Sequence, residues 1–224
     1  MNTLVAAIQQ RYHGNFMTIG IAGSVAVGKS TFAAHLASVL GVQVQVVSTD
    51  DFLMANATLM AKQLFDQKGF PQTYALDQLA QVIAAFQAGA AQVTIPKYSQ
   101  EIADIDGTVQ QTITRPDILI IEGVVALQLP TIDFKIYLDA DLTAIKGWYL
   151  ARTLEMTALA KEDPTSWRYQ FTQMPIDALT TLVMKTWDET NQVNLERYIL
   201  PTKQTADAVV HLDAQHQIDY ITIK

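Results

Sequence analysis

The sequence predicts an α/β protein built on a doubly wound, mainly parallel sheet. Apolar, β-branched runs alternate with amphipathic helical stretches through most of the 224 residues, the pattern of successive βα crossover units. One run, Ile118-Leu119-Ile120-Ile121, has no polar position, as a strand covered on both faces of a parallel sheet requires. A glycine-rich loop joins the first strand to the helix after it, the position at which such sheets bind ligands.

Leu4, Ile8 and Tyr12 stand at i, i+4 and i+8 and predict a short amphipathic helix. A strand follows over 16–22, then the loop, then a helix over 31–40 that ends at Gly41. The β-branched run 42–48 predicts a second strand, which ends at Thr49-Asp50-Asp51. Leu76, Leu79, Ile83 and Phe86 keep one helical face apolar across 76–88, and Gly89 closes that helix. Residues 92–98 and 108–114 read as two strands around a polar loop that holds Asp104, Asp106 and Gly107. Residues 134–138 resemble the 118–121 strand less purely. Long helices are expected over 142–159 and 176–200, joined by a polar, aromatic-bearing connection at 161–174 with Pro164 inside it. Residues 208–212 and 218–223 close the chain as strands. No repeat, low-complexity tract or linker interrupts the order, so residues 1–224 are expected to form one domain.

Twenty-two acidic residues against 15 basic ones leave a net charge of −7, and half the residues are hydrophobic. A nucleic-acid partner needs a positive footprint that this chain lacks. With no cysteine, disulfides and thiolate metal sites are excluded. No segment has the length and apolarity of a membrane span. The first 13 residues lack the basic start and continuous apolar stretch of a signal peptide, so a soluble cytoplasmic protein is expected.

Gly23-Ser24-Val25-Ala26-Val27-Gly28-Lys29-Ser30 fits G-x-x-x-x-G-K-[ST] completely. In that pattern backbone N–H groups and the helix N-terminus surround phosphate oxygens. The lysine brings a point charge to the β/γ-phosphates, and the Ser30 hydroxyl ligates magnesium. Nucleotide binding is the expectation. Asp50, Asp51 and Glu122 follow strands, at the edge where ligands gather. Glu122 is the candidate acid for magnesium. Asp50 can take the proton of an attacking hydroxyl or cap the helix after it, and Asp51 can supply that cap instead. Arg152 can reach a transferring phosphoryl group from its helix or pair with Glu155. His13, His35, His211 and His216 show no metal-ligand spacing and receive no role. Trp148, Tyr149, Trp167, Tyr169 and Trp187 are expected in core or helix packing. Asp104-Ile105-Asp106-Gly107 fits D-x-x-G, but no guanine-reading Asn-Lys-x-Asp exists in the chain, which argues against a GTPase-like switch.

Four stretches resemble the bacterial type I pantothenate kinases, which share a superfamily with uridine kinases and phosphoribulokinases. They are Gly23 to Thr31, Lys68-Gly69-Phe70-Pro71, Pro116 to Gly123, and Asn191 to Leu195 with Ile199-Leu200-Pro201-Thr202. The resemblance implies the P-loop kinase fold and ATP-dependent phosphorylation of the primary hydroxyl of pantothenate, opening coenzyme A synthesis. It matches Lys29, Ser30 and Thr31 to nucleotide and Mg2+ binding, Asp50 to the catalytic Asp, Glu122 to the strand-end acid and Arg152 to phosphoryl stabilisation. Tyr98, Tyr149 and Asn191 match residues that contact the pantothenate chain. The resemblance also implies a cytoplasmic homodimer. Departures gather at the acceptor pocket. Gln100 stands in place of a His and Ala103 in place of a Tyr, while Met156, Arg168 and Phe171 replace aromatics. Ala34 replaces a basic residue of a coenzyme A contact. The alternatives are a kinase for another small alcohol (a nucleoside such as uridine, a sugar or glycerate) or a catalytically silent nucleotide-binding paralog.

Overall fold

The computed structural model describes residues 1–224. Eight strands form a six-stranded sheet and a separate two-stranded one. In chain order they are β1 (Met17–Gly23), β2 (Val44–Ser48), β3 (Gln92–Ser99), β4 (Asp104–Thr114), β5 (Ile118–Glu122), β6 (Phe134–Ala140), β7 (Ala208–Leu212) and β8 (Ile218–Ile223). The main sheet runs β2-β5-β1-β6-β7-β8, with β3 and β4 pairing apart from it. Every pair in the main sheet is parallel except β7–β8. Six α-helices longer than a single turn accompany it: α1 (Asn2–Arg11), α2 (Lys29–Val39), α3 (Asn56–Ala61), α4 (Leu76–Gln87), α5 (Leu142–Leu159) and α6 (Ile176–Thr186). The expected α/β class and mainly parallel sheet are therefore observed. None of the helices is long and apolar enough to cross a membrane.

The apolar β5 explains itself through its two faces. Ile118 and Ile120 pack with α1, α2 and α5 residues such as Leu4, Ile8, Leu36 and Ile145. Leu119 and Ile121 point the other way, into a cluster with Leu79, Ile83 and Phe86 of α4 and with Ile95 and Ile113 of the β3–β4 hairpin. Alternate side chains feed opposite layers, so no position along the strand meets water. The central strands all point their C-terminal ends at one edge, where Glu122 is level with Ile21 of β1 and Ser48 of β2.

Several elements differ from expectation. α3 carries no long periodic run and has no counterpart in the sequence reading. The polar loop expected around Asp104 to Gly107 is instead the start of β4, because Asp104 pairs with Ser99 and Ile105 with Tyr98. Helix 176–200 is not one α-helix: α6 gives way to π turns at Trp187–Asn191 and Leu195–Ile199. A 3-10 stretch, Leu200–Thr205, then ends the run, and Pro201 within it has no N–H to donate.

Candidate active site

β1 delivers the chain into the glycine loop at the centre of the sheet edge. Gly23 has φ 156°, and a Cβ there would meet the Leu138 carbonyl of β6. Gly28 has φ 92° and forms the N-terminal boundary of α2. The first intrahelical bond runs from Phe32 N–H to the Gly28 carbonyl, so the N–H groups of Lys29, Ser30 and Thr31 have no partner within the helix. Such groups at a helix start bind anions. Lys29 Nζ donates to the Ser24 carbonyl at 2.8 Å, which lays the ammonium across the loop mouth. Burial lowers its pKa, while Glu122 and Asp50 act in the opposite direction. A cavity of 330 Å3 opens here, lined by Gly28, Lys29, Ser30, Thr31, Trp148, Arg152 and His216.

Ser30 Oγ donates to Glu122 Oε1 at 2.9 Å. Hydroxyl and carboxylate oxygens together suit a hard cation such as magnesium. No cluster of three or more His, Cys, Asp or Glu residues that could hold a metal exists, so the remaining ligands would have to be phosphate and water oxygens. Burial raises the Glu122 pKa, against the lowering effects of Lys29 and the Ser30 hydrogen bond.

β2 ends in a 3-10 turn, Thr49–Phe52, whose cap is Ser48: its hydroxyl accepts from Asp50 N–H. Neither aspartate is the cap. Asp50 is thereby free to face the cleft, where the Tyr74 hydroxyl donates to its Oδ1 at 3.2 Å. Burial raises the Asp50 pKa, and Lys29 opposes that. A carboxylate so raised is a better proton acceptor than an ordinary aspartate. Asp51 is buried and borders the same cleft, but its carboxylate is already engaged, accepting from Tyr98 N–H and pairing with Lys97.

One cleft of 550 Å3 is lined by Lys29, Ser30, Asp50, Glu122, Arg152, Tyr98 and Gln100. Arg152 makes no ion pair with Glu155 and faces both this cleft and the phosphate-loop cavity. Asp50 and Tyr98 also border a larger cavity of 740 Å3, with Lys68, Tyr74, Ala103, Tyr149, Trp167, Asn191 and Asn194 on its walls. Asp50 thus stands where two chambers meet. Lys29, Ser30, Asp50, Tyr98, Gln100, Glu122 and Arg152 share the cleft with Val25 and Ala26, Tyr149 and Asn191 line the adjoining cavity, and Val27 of the loop packs into the core instead.

Residues 18–155 match the model of the Phosphoribulokinase / Uridine kinase family. The chain belongs to that family. It is 39% identical over 220 residues to a pantothenate kinase of Streptococcus suis, covering 92% of this chain and 72% of that protein. Among solved structures, D-glycerate 3-kinase from Cryptococcus neoformans superposes with a TM-score of 0.64 at 13% identity, covering 100% of this chain and 96% of that one. Phosphoribulokinase from Rhodobacter spheroides gives 0.52 at 14% identity, covering 90% and 71%. At these identities the two structures establish the P-loop kinase fold alone.

Several family-site neighbours escaped the sequence reading. Lys68 lies in the Lys-Gly-Phe-Pro string but received no role. Its Nζ donates to Asn56 Oδ1 at 2.7 Å and to the Ala103 carbonyl, and it sits 5.1 Å from the Tyr98 ring centroid. Asn194 is buried, with Nδ2 bound to the Gly69 carbonyl at 2.7 Å. His216 is not idle, since its ring stacks 3.5 Å from Trp148 and its Nε2 lies 3.4 Å from the Ala26 carbonyl. Of the aromatics expected in packing, Trp187 is fully buried against Tyr149. Trp148 and Trp167 instead line cavities. Local chain patterns cannot reveal these roles, because each involves at least one partner more than 30 residues away. The departures are placed as follows. Gln100 borders the cleft and its carbonyl accepts from Arg168 Nη1 at 3.0 Å. Ala103 adopts φ 49° at the hairpin tip. Met156 borders the cleft, Phe171 packs on Trp167, and Ala34 is exposed on α2.

Proposed function

We propose that this protein transfers the γ-phosphoryl group of ATP to the primary hydroxyl of pantothenate, using magnesium. The observation that carries the reading is the position of Asp50, shared between the cleft that holds Lys29, Ser30, Glu122 and Arg152 and the 740 Å3 cavity beside it. ATP phosphates lie in the glycine loop on the N–H groups of Lys29 to Thr31. Lys29 meets the charge that builds on the β/γ bridge, and Arg152 steadies the phosphoryl oxygens in transit. Asp50 accepts the proton of the attacking hydroxyl. Ser30 and Glu122 would hold magnesium, which would supply charge neutralisation to the phosphate oxygens. Tyr98, Tyr149, Asn191 and Gln100 orient the rest of the acceptor. All 224 residues act as one kinase domain, which by resemblance works as a homodimer in the cytoplasm. The retention of Lys29, Ser30, Asp50, Glu122 and Arg152 in one connected site speaks against a silent paralog.

A second reading, a kinase of another small alcohol, draws on Gln100 and Ala103. Gln100 cannot carry positive charge, and Ala103 offers no ring or hydroxyl, so two anchors of a pantothenate site are missing. Acceptor-dependent ADP release distinguishes the two. Gln100→His combined with Ala103→Tyr is expected to lower the KM for pantothenate about tenfold, the worth of roughly one charged hydrogen bond. Efficient turnover of a nucleoside, sugar or glycerate by a protein that leaves pantothenate untouched would replace the first reading with the second.

A further inference from the structure

The β3–β4 hairpin carries one wall of the acceptor cavity, including Tyr98, Ile102 and Ala103. It is not hydrogen-bonded into the main sheet, so its distance from Asp50 must be set by other ties. Several hold the hairpin tip, among them the Lys68 and Arg168 bonds to the Ala103 and Gln100 carbonyls. Asn56 N–H donates to Asp104 Oδ1 at 2.8 Å, and Asn56 Nδ2 to the Ala103 carbonyl at 3.2 Å. From the 161–174 connection, Trp167 N–H donates to the Glu101 carbonyl at 2.9 Å. The tie on the base side is Asp51. Its side chain, only 4% exposed, accepts through Oδ1 from Tyr98 N–H at 2.9 Å, and Lys97 Nζ lies 3.3 Å from the same oxygen. Tyr98 is where the β3–β4 register shifts.

Asp51 is one peptide bond from Asp50 in a turn that Ser48 already caps. The turn does not need this carboxylate to form. A buried carboxylate answered by one half-exposed lysine is weak support for stability, since desolvation consumes much of the attraction. What the contact does supply is distance: one end is bonded to the catalytic turn and the other to the acceptor wall.

We propose that Asp51 is a positioning residue that fixes the acceptor wall at Tyr98 against Asp50, with Lys97 neutralising it. The inference rests on the 740 Å3 cavity being the acceptor pocket. Steady-state kinetics with ATP, magnesium and pantothenate test it in Asp51→Ala and Asp51→Asn. Asp51→Ala is expected to raise the acceptor KM about tenfold and leave the KM for ATP within about twofold. Asp51→Asn retains an oxygen for Tyr98 N–H and is expected to recover most of the acceptor KM. Amide hydrogen exchange at Tyr98 should quicken in Asp51→Ala and not in Asp51→Asn. If Asp51→Ala does not fold, Asp51→Glu decides, because a carboxylate displaced by one methylene should also raise the acceptor KM. A folded Asp51→Ala with an unchanged acceptor KM, or with both KM values raised equally, overturns the proposal. Should the wild type turn over another alcohol and not pantothenate, the substrate reading falls by itself. The same KM comparison on that alcohol then decides Asp51.

Discussion

Lys29 and Asp50 divide the work between phosphate and hydroxyl, and each makes a separate prediction. Lys29→Ala removes the ammonium that lies across the loop and is expected to lower kcat about a hundredfold, on the order of 3 kcal/mol. Near-normal turnover at saturating ATP would remove Lys29 from the chemistry. Asp50→Asn keeps the shape that Tyr74 hydrogen-bonds yet cannot take a proton, so transfer should nearly cease while ATP affinity changes only a few-fold. Calorimetric ATP binding beside the kinetic assay checks both halves. Gly123 gives a stability prediction. Its φ is 149°, and a Cβ there would run into the Thr49 side chain. Gly123→Ala should therefore cost about 2–3 kcal/mol, read as a lower denaturant midpoint; an unchanged midpoint would mean that β5 and the catalytic turn can separate freely. At this scale the chain pattern announced Lys29, Ser30 and Glu122 by local order alone. The sequence puts Asp50 forward as the base with Asp51 as the cap that frees it, whereas Ser48 is the cap and Asp51 is tied to Tyr98.

Strands and helices were legible where periodicity is local, as in β1, β5 and α4. They were less so where a distant partner decides the form. The 3.6-residue pattern runs unbroken past Thr186, but the backbone widens into π turns that set Asn191 and Asn194 on the cavity wall, a common use of such turns. Asp104 and Gly107 look like turn residues, but cross-strand pairing draws Asp104 into β4, and Gly107 lies within that strand where the register shifts. The turn between β7 and β8 brings His216 onto Trp148 and the glycine loop, although nothing near His216 in the chain signals this. His216→Ala should raise the KM for ATP about fivefold, roughly the value of one hydrogen bond with its stacking, and leave the acceptor KM unchanged. An acceptor KM that rose instead would assign that turn to the other chamber.

For the whole molecule, alternation of strand and helix was enough to foresee a parallel sheet, and burial on both faces of β5 follows from its composition. The detachment of β3–β4 from that sheet was not foreseeable, because two short strands look the same whether they join a large sheet or pair alone. That detachment matters for function. A rigid sheet edge holds the phosphate machinery, and a tethered hairpin closes the acceptor side, so phosphate handling and acceptor choice can vary separately. The departures at Gln100 and Ala103 both lie on the hairpin side. The central claim is that Asp50 joins these two parts into a pantothenate kinase. Incubation with ATP, magnesium and pantothenate, followed by mass and 31P spectra of the product, tests it most directly. The account predicts a phosphomonoester on the primary hydroxyl, formed by the wild type in step with ADP and absent with Asp50→Asn. ADP release without a phosphorylated acceptor, or equal product from both proteins, would contradict it.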